Sequence, residues 1–593
     1  MTVNEKIAHL RLLMKRESID TYIVSKSDPH QSEYTQEYWN QVKYISGFTG
    51  SAGTVVITMN HAGLWTDGRY YIQAEQELAD SEFVMHGCTE HNVRDFDQFA
   101  ADETKVEGTI GFNGDVISTS QAKVIQNLVR FKRISLNTDI DLIGEMWEER
   151  PKLSKSQIYE HHLRFCGVPR EEKLTDLRAK MKARFADFYI ISSIDDIAWL
   201  FNLRGNDMAY STCFESYALI DNEKAILFVD LEKAVGVKDE LEQDNVVLID
   251  INEISNFLEE YTKNPSKNVA LINPRAVSHS LVCKLKSCEI VERYIDLTAS
   301  MKAVKNSVEL CNLEKVNQRD GVAMVRFIIW LKENAGKGIS EVDAAEKVTE
   351  LRRAGENFVE PSFSSIAAYM SNAALMHYSA DKDSCSEVKP EGALLLDSGG
   401  SYYDGTTDIS RTIILGNISN ELRYDFTLVL KSHIGLADAT FLYGVTGTNL
   451  DTFARMHMWK HDMDYKSGTG HGLGFFLNVH EGPQRISSII NEVVFEENMI
   501  VTNEPGVYRE GEYGIRTENT MQVVNHTEND FGRFMKFRTI SYCPIDLEGI
   551  IPEMLTLEEK KWLNEYHETV REKLNPHLLP EEREWLASAT KKI

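Results

Sequence analysis

Five potential metal ligands, four of them carboxylates, lie in one segment of the chain. They are Asp397, Asp408, His471, Glu504 and Glu518. A single structural zinc prefers a closed tetrahedron of mostly sulfur and nitrogen, so this set does not suit it. Two divalent cations about 3.5–4 Å apart can share carboxylates and a bridging hydroxide. The segment therefore predicts a dinuclear hydrolase site, and the fold must bring these residues together.

The local sequence indicates how strands would position these ligands. Asp397 ends the apolar run ALLLD and Asp408 precedes another strand pattern, so a hairpin would place the two carboxylates side by side. Glu504 and Glu518 lie in a second pair of strand patterns, joined by a turn. Burying unpaired charge beside apolar runs is costly, and cations would offset that cost. His471 lies between glycines that would let the backbone come close to metals or substrate.

Charge and composition restrict the class of protein. The chain has 593 residues, with 64 Lys and Arg against 91 Asp and Glu, a net charge of −27. Such a surface disfavours nucleic acids and anionic membranes. The N-terminal sequence lacks the uninterrupted apolar region of a signal peptide, and no stretch approaches the ~18 apolar residues of a membrane span. The eight dispersed cysteines indicate reduced thiols, so we expect a cytoplasmic protein.

Sequence patterns predict a mixed α/β protein in four parts. Short β-branched runs such as TYIVS (21–25) and DFYIISS (187–193) alternate with helical patterns. Residues 307–335 have helical apolar spacing, and Thr556, three residues before Glu559, is a capping-box signature. We divide the chain into α/β domains at 1–150 and 151–300, a ligand-bearing domain at 301–545 and a helical extension at 546–593.

Several motifs resemble a known family. DSGGSYYDGTTDISRT, GTGHGLGFFLNVHEGP and TNEPGVYREGEYGIRTEN, with the His377 segment, are similar to the Xaa-Pro aminopeptidase (aminopeptidase P) branch of the creatinase/methionine aminopeptidase superfamily, peptidase family M24. FTGSAGTVVIT and SSIDDIAWLFNLRGND resemble the first two domains of its long, three-domain form, so the resemblance covers nearly the whole chain. It implies two creatinase-like α/β domains, a pita-bread catalytic domain, two divalent cations (usually Mn²⁺) and a homodimer.

The resemblance also implies a role for each ligand. Asp397 and Asp408 would bind the first metal, His471 and Glu504 the second, and Asp408 and Glu518 would bridge both. The water shared by the two cations would attack the carbonyl before proline. The implied activity is removal of the N-terminal residue from peptides with proline in second position.

Other residues are assigned by the same resemblance. Glu504 would also carry the proton to the leaving proline nitrogen, and His377 would stabilise the tetrahedral intermediate. His480 would lie against the substrate near the proline subsite. Arg516 would hold the ligands by charge pairing. Trp459 matches a tryptophan at the dimer contact of the long form.

The sequence departs from the family pattern at a few positions. Ser467 replaces a histidine that contacts substrate in the family, which puts rate or specificity in question. Met370 and Ala373 stand where glycine is common, and Thr517 replaces a usual aliphatic residue. These changes would narrow or reshape the substrate pocket.

Three other functions are compatible with parts of this pattern. A prolidase would use the same chemistry on dipeptides alone, although three-domain length and the WTDGRYYIQAE segment argue against it. A metal-free binding module on the same fold would have lost the ligands, whereas all five are present. A creatinase-type amidinohydrolase is possible on fold alone but does not need this ligand set.

Overall fold

The computed structural model describes residues 1–88, 93–264 and 267–593. The chain forms two compact units. The first unit contains Met1–His161 and Pro169–Thr298, and the second contains His162–Val168 and Ala299–Ile593. Helices and strands alternate in both, which confirms the predicted mixed α/β class. Among the described residues, the helices lack the combination of length and apolar character needed to cross a bilayer. The finer division into four domains stays a prediction.

The first unit contains two six-stranded sheets. One comprises β1 (Thr21–Ser25), β2 (Thr54–Thr58), β3 (Ala62–Thr66), β4 (Phe83–Gly87), β5 (Thr109–Phe112) and β6 (Ser135–Asn137), in the order β4-β3-β2-β1-β5-β6. The other comprises β8 (Phe188–Ile191), β10 (Ser216–Asp221), β11 (Ala225–Val229), β12 (Val246–Asp250), β13 (Val269–Ile272) and β14 (Glu289–Glu292), in the order β12-β11-β10-β8-β13-β14. A short separate pair joins β7 (Tyr159–Glu160) to β9 (Leu203–Arg204). The central strands are apolar because helices cover them.

The helices up to the start of the second unit are mostly short. They are α1 (Val3–Arg16), α2 (Gln41–Ser46), α3 (Tyr71–Leu78), α4 (Phe96–Glu103), α5 (Thr119–Val129), α6 (Leu142–Met146), α7 (Leu163–Cys166), α8 (Arg170–Lys182), α9 (Ile194–Leu200), α10 (Lys238–Gln243), α11 (Ile254–Tyr261), α12 (His279–Val282) and α13 (Leu297–Ala303). Of these, α7 belongs to the second unit, and α13 begins in the first unit and ends in the second. Three 3₁₀ turns cover Glu37–Trp39, Val235–Val237 and Ile251–Glu253.

The second unit is built on longer helices. They are α14 (Ser307–Asn334), α15 (Glu341–Arg353), α16 (Asn420–Ala437), α17 (Gly447–Trp459), α18 (Leu557–Leu574) and α19 (Pro580–Ala589). The predicted helix at 307–335 is confirmed as α14. The predicted capping box is confirmed too, since Thr556 Oγ1 accepts from Glu559 N and Glu559 Oε2 accepts from Thr556 N. Further 3₁₀ turns cover Met370–Ala374, Leu547–Gly549, Pro552–Met554 and Asn575–His577.

The strands of the second unit form four sheets. The strands are β15 (Phe358–Pro361), β16 (Ile366–Tyr369), β17 (Ala393–Ser398), β18 (Gly400–Tyr402), β19 (Gly405–Thr406), β20 (Ile409–Ile414), β21 (Thr440–Leu442), β22 (Gly470–Gly472), β23 (Glu481–Ile486), β24 (Ile500–Asn503), β25 (Gly506–Arg509), β26 (Tyr513–Arg516), β27 (Asn519–Asn529) and β28 (Gly532–Thr539). The sheet orders are β15-β18-β19, β16-β17-β20, β21-β28-β27-β24-β22-β23 and β25-β26. We call β16-β17-β20 the three-stranded ligand sheet and the six-stranded one the large ligand sheet.

One arrangement occurs twice in the second unit. Strands β17 and β20 pair antiparallel, and β18 and β19 form a small hairpin between them in the chain. Strands β24 and β27 also pair antiparallel, and the hairpin of β25 and β26 lies between them. The sequence predicted a simple connection in each place. Each connection instead contains a second hairpin, whose strands of two to four residues are too short to show a periodic pattern.

The first unit contains a buried carboxyl group with a raised pKa. Glu215 is 8% exposed, and its Oε1 accepts a hydrogen bond of 2.6 Å from Trp39 Nε1. Burial raises the pKa of Glu215 to about 7, and the charges of Asp28 and Asp207 add to the shift, which outweighs the Trp39 bond and the nearby Lys233. The folded chain therefore holds this proton to a higher pH than the unfolded chain does.

We expect this group to make the stability of the first unit depend on pH. The folded pKa lies above the ordinary value of 4.5, so stability falls as pH rises from about 4.5 through 7. Glu215→Gln should remove that fall. The free energy of unfolding of the variant relative to the parent should therefore rise by about 2–3 kcal/mol between pH 5 and pH 8. Urea unfolding at both pH values, with the exposed Glu223→Gln as control, measures the difference. Parallel pH dependence in parent and Glu215→Gln would contradict the expectation.

Candidate metal centre

The five predicted ligands lie in or next to strands of two different sheets. In the three-stranded ligand sheet, Asp397 is the fifth of the six residues of β17, and Asp408 comes directly before β20. In the large ligand sheet, His471 is the middle residue of β22, Glu504 follows β24 and Glu518 precedes β27. In each sheet, the two paired strands therefore carry their acids at the same end of the pair.

These strand ends bring the ligands together. One ligand atom each from Asp408, His471 and Glu518 lies within 4.8 Å of the others. His471 Nε2 lies 3.4 Å from Asp408 Oδ2 and 3.6 Å from Glu504 Oε1. Arg516 bonds both Asp397 and Ser410, and Ser410 bonds Glu518, which places Asp397 beside the same group. A single cluster thus contains all five residues.

Burial and mutual repulsion shift the pKa values of the residues in the cluster. Burial raises the pKa of Asp397, Glu504 and Glu518, and Asp408 raises each of them further by repulsion. Burial opposes protonation of His471, but the hydrogen bond to Asp408 and the charges of Glu504 and Asp408 outweigh it and raise the pKa of His471 to about 9. The cluster attracts positive charge strongly.

The donor set fits two divalent cations. Asp397 Oδ1 is buried and accepts no hydrogen bond from the described residues. Buried carboxylate oxygens normally have a partner, and a metal ion is one such partner. Four carboxylates and one imidazole also match the oxygen-rich ligation of magnesium-like and manganese-like ions, whereas thiolates are absent from the ligand set.

Arg516 connects the two ligand sheets. Its Nη2 donates to Asp397 Oδ2 at 2.5 Å, its Nε donates to Ser410 Oγ at 3.1 Å, and its Nη1 bonds the Tyr508 hydroxyl. Ser410 Oγ in turn donates to Glu518 Oε2 at 2.7 Å. The guanidinium and the serine therefore hold one acid from each sheet in a fixed orientation. The predicted charge pairing of Arg516 is present in this geometry.

Arg411 supports the cluster from behind and was missed by sequence reasoning. It lies fully buried in β20, and its guanidinium donates to the carbonyls of Glu518, Ser410, Cys543 and Pro544, to Asn519 Oδ1 and to the Tyr566 hydroxyl. The one signal in the sequence was an arginine inside the strand pattern ISRTII. Such a residue must have partners to be buried.

The glycines beside His471 have a role that differs from the predicted one. A Cβ on Gly470 would lie 1.9 Å from the Thr502 carbonyl oxygen, and one on Gly472 would lie 2.1 Å from the Glu481 carbonyl oxygen. These residues therefore allow close packing of β22 between its neighbours. Close strand packing is enough to explain why glycine occupies both positions, and the predicted approach of metals or substrate is not required.

The two other predicted histidines have different surroundings. The exposed His480 packs its ring edge-to-face on His471, with 4.3 Å between the ring centroids. His377 lies in an exposed turn after the 3₁₀ segment Met370–Ala374. That segment packs on β26, where Gly514 leaves room for the Ala373 carbonyl oxygen, 1.8 Å from the position of a Cβ.

The predicted departures from the family pattern have distinct surroundings. Ser467 Oγ is buried and has no hydrogen-bond partner among the described residues, while the Ser467 carbonyl accepts from Arg455 Nη2 at 2.7 Å. Met370 has a φ of +47°, a left-handed conformation that favours glycine. Its sulfur accepts a hydrogen bond from Ala393 N at 3.3 Å. Trp459 ends α17 and is 48% exposed.

Models of protein families match nearly the whole chain. "Creatinase/Prolidase N-terminal domain" matches residues 6–141 and, in a second form, 149–309. "Metallopeptidase family M24" matches 311–525, and "C-terminal region of peptidase_M24" matches 533–593. The predicted fold, two creatinase-like domains followed by a metallopeptidase domain, is confirmed by these matches.

Full-length relatives agree with the family models. Aminopeptidase P2 of Arabidopsis thaliana is 35% identical over 98% of this chain and 87% of its own length. A probable Xaa-Pro aminopeptidase P of Paracoccidioides brasiliensis (strain Pb03) is 35% identical over 100% of this chain and 99% of its own. The X-prolyl aminopeptidase of Caenorhabditis elegans, described as a cytosolic enzyme with a di-nuclear active site, has a TM-score of 0.96 and 30% identity, covering 100% of both chains. This chain therefore belongs to metallopeptidase family M24, in its Xaa-Pro aminopeptidase P group.

Proposed function

We propose that this chain is a metal-dependent aminopeptidase that removes the N-terminal residue from peptides with proline in second position. The observation that carries the proposal is the cluster of Asp408, His471 and Glu518, with Glu504 3.6 Å from His471, in a chain whose full-length relatives are named Xaa-Pro aminopeptidases. The full-length likeness favours this reaction over the prolidase alternative. The Pyrococcus horikoshii prolidase shares only the fold, over 63% of this chain at 22% identity.

Each ligand would have the role that its position supports. Asp397 and Asp408 would hold one cation, His471 and Glu504 the other, and Asp408 and Glu518 would bridge the two. Two bound cations would lower the pKa of a shared water and polarise the scissile carbonyl, and the oxygen-rich donor set suits Mn²⁺. Arg516 and Ser410 would keep Asp397 and Glu518 in place as charge develops.

The remaining side chains would move the proton and bind the substrate. Glu504 would accept a proton from the attacking water and give it to the leaving proline nitrogen. His377 would donate a hydrogen bond to the oxyanion that develops on the carbonyl. His480, packed on His471, would border the proline subsite. Ser467, which replaces a larger residue of the family, would leave extra room or an unmade contact there.

The chemistry of the substrate explains a dedicated enzyme. An Xaa-Pro bond is a tertiary amide without an N–H, and the proline ring fixes φ. A site that recognises extended peptides through backbone hydrogen bonds would therefore bind it poorly. A pocket shaped for the ring, beside groups that polarise the carbonyl, overcomes both obstacles.

We further propose a homodimer in the cytoplasm. Phe453, Met456 and Trp459 follow one another at helical spacing on α17 and are 38%, 36% and 48% exposed. A strip of large exposed apolar residues is typical of an interface. The nematode relative is described as a cytosolic enzyme, which supports the same compartment here.

A peptide beginning Arg-Pro-Pro tests the proposed reaction. We expect release of the N-terminal arginine with added Mn²⁺, loss of activity with a chelator, and no cleavage when alanine replaces the first proline. Mass spectrometry of the products identifies the bond that is cut, and metal analysis of the purified chain should give two ions. Two bound metals without cleavage would refute the proposed substrate class. Cleavage of dipeptides alone would favour a prolidase.

A further inference from the structure

The loop that carries His377 is long and, apart from one 3₁₀ segment, irregular. We define the His377 loop as residues 369–386; it begins at the end of β16 and contains the 3₁₀ segment Met370–Ala374. His377 is exposed, so its position depends on the conformation of the loop that carries it. A residue that acts on a developing oxyanion must nevertheless be held within a few tenths of an ångström.

A single carboxylate bonds this loop along its length. Glu341, the first residue of α15, is fully buried. Its Oε1 accepts from Tyr369 N at 2.6 Å and its Oε2 accepts from Ser386 N at 2.7 Å, so it binds both ends of the loop. Asn372 Nδ2 lies 3.1 and 3.0 Å from the two oxygens, and the Tyr378 hydroxyl donates to Oε2 at 2.8 Å.

These four donors are neutral, and they distinguish the site from an ordinary salt bridge. The charge of Glu341 is stabilised by two backbone N–H groups, an amide, a phenol and the N-terminus of α15. Burial, with the hydrogen bond and charge of Glu341, raises the pKa of Tyr378, so its hydroxyl remains a donor. Removing the carboxylate would leave four donors to find new partners at once.

The bond to Tyr378 transmits this restraint to the neighbouring residue. Tyr378 follows His377 directly, and Tyr378 N donates to the Leu375 carbonyl at 3.0 Å, which closes a turn around His377. The phenol thus fixes one side of the turn through Glu341. On the other side, Ala373 packs against Gly514 of β26, the strand that ends at Arg516.

We propose that Glu341 is a positioning residue that holds the His377 loop in its working conformation for the hydrolysis proposed above. Glu341 touches neither the acid cluster nor its supporting arginines in its described contacts; it acts through Tyr378 and the loop backbone. The effect on catalysis rests on the proposed role of His377. The restraint of the loop by Glu341 does not depend on that role.

The kinetic test is a double-mutant cycle with Glu341→Gln and His377→Ala. We expect Glu341→Gln to lower kcat for the Arg-Pro-Pro peptide by about 10–100-fold with a small change in KM, and to lower it by less than about 3-fold when His377 is already alanine. Tyr378→Phe, which deletes one bond, should give a smaller effect in the same direction. Glu346→Gln, on the exposed face of the same helix, is the matched control and should match the parent.

A second readout does not use activity. Hydrogen–deuterium exchange of peptides from residues 369–386 should become at least about 10-fold faster in Glu341→Gln, with metal content and exchange elsewhere in the second unit unchanged. Unchanged hydrogen exchange in the loop would show that Glu341 does not restrain it. If Glu341→Gln lowered kcat equally in the parent and in His377→Ala, Glu341 would not act through His377. If the parent protein failed to cleave the peptide, the proposed function would be refuted. The exchange experiment would still show whether Glu341 restrains the loop.

Discussion

Asp408→Asn is expected to lower kcat/KM for an Xaa-Pro peptide by at least about 10³-fold, equivalent to about 4 kcal/mol of transition-state stabilisation. Asp408 Oδ2 lies 3.4 Å from His471 Nε2, and Asp408 shares a 4.8 Å cluster with Glu518. The amide keeps the shape of the side chain but removes a negative charge that both proposed cation positions require. We expect the number of metal ions bound per chain to fall below two.

Steady-state kinetics and metal analysis on the same preparation measure this effect. The exposed Asp530→Asn, in the same unit, is the control for a lost surface charge and should leave both quantities unchanged. Thermal unfolding of the variant establishes that it is folded. Activity within 10-fold of the parent, with two ions still bound, would show that Asp408 is not a shared ligand.

Arg411→Met is expected to lower the free energy of unfolding by about 4 kcal/mol. The fully buried guanidinium bonds four carbonyl oxygens, an amide oxygen and a phenol, and methionine would leave these buried acceptors without a donor. One of the carbonyls belongs to Glu518, so metal affinity should fall as well, by about 10–100-fold. Urea unfolding and a metal titration measure the two effects.

Arg423→Met is the matched control for this substitution. Arg423 donates a single bond of 2.6 Å, to the Glu548 carbonyl at the surface, so its loss should cost less than about 1 kcal/mol. Equal destabilisation by the two substitutions would mean that the Arg411 network contributes little. A stable Arg411→Met variant with weakened metal binding would separate the two effects of the residue.

Sequence reasoning found the acids of the cluster because their signal is local. Asp397 and Glu504 each adjoin an apolar run, and a charge in that setting needs a partner. The long helix α14 and the capping box at Thr556 were predictable for the same reason, since periodicity and capping depend on nearby residues.

Arg411 and Glu341 could not be predicted because their partners are distant in sequence. Arg411 bonds the Pro544 carbonyl and the Tyr566 hydroxyl, more than a hundred positions away. Glu341 has the sequence context of an ordinary acid in the first turn of a helix, where it would usually be solvated. Only the fold shows that the chain returns to it from Tyr369 to Ser386.

The proposed ligands are divided between two sheets that share no strand. The three-stranded ligand sheet contributes two acids, and the large ligand sheet contributes the histidine and the other two. A cation bound by residues from both sheets would link them, because all of its ligands are available only while the two sheets stay together. By mass action, its binding free energy would then add to the resistance of the second unit to unfolding. Cellular metal supply would in that way influence how long the protein survives as well as how fast it works.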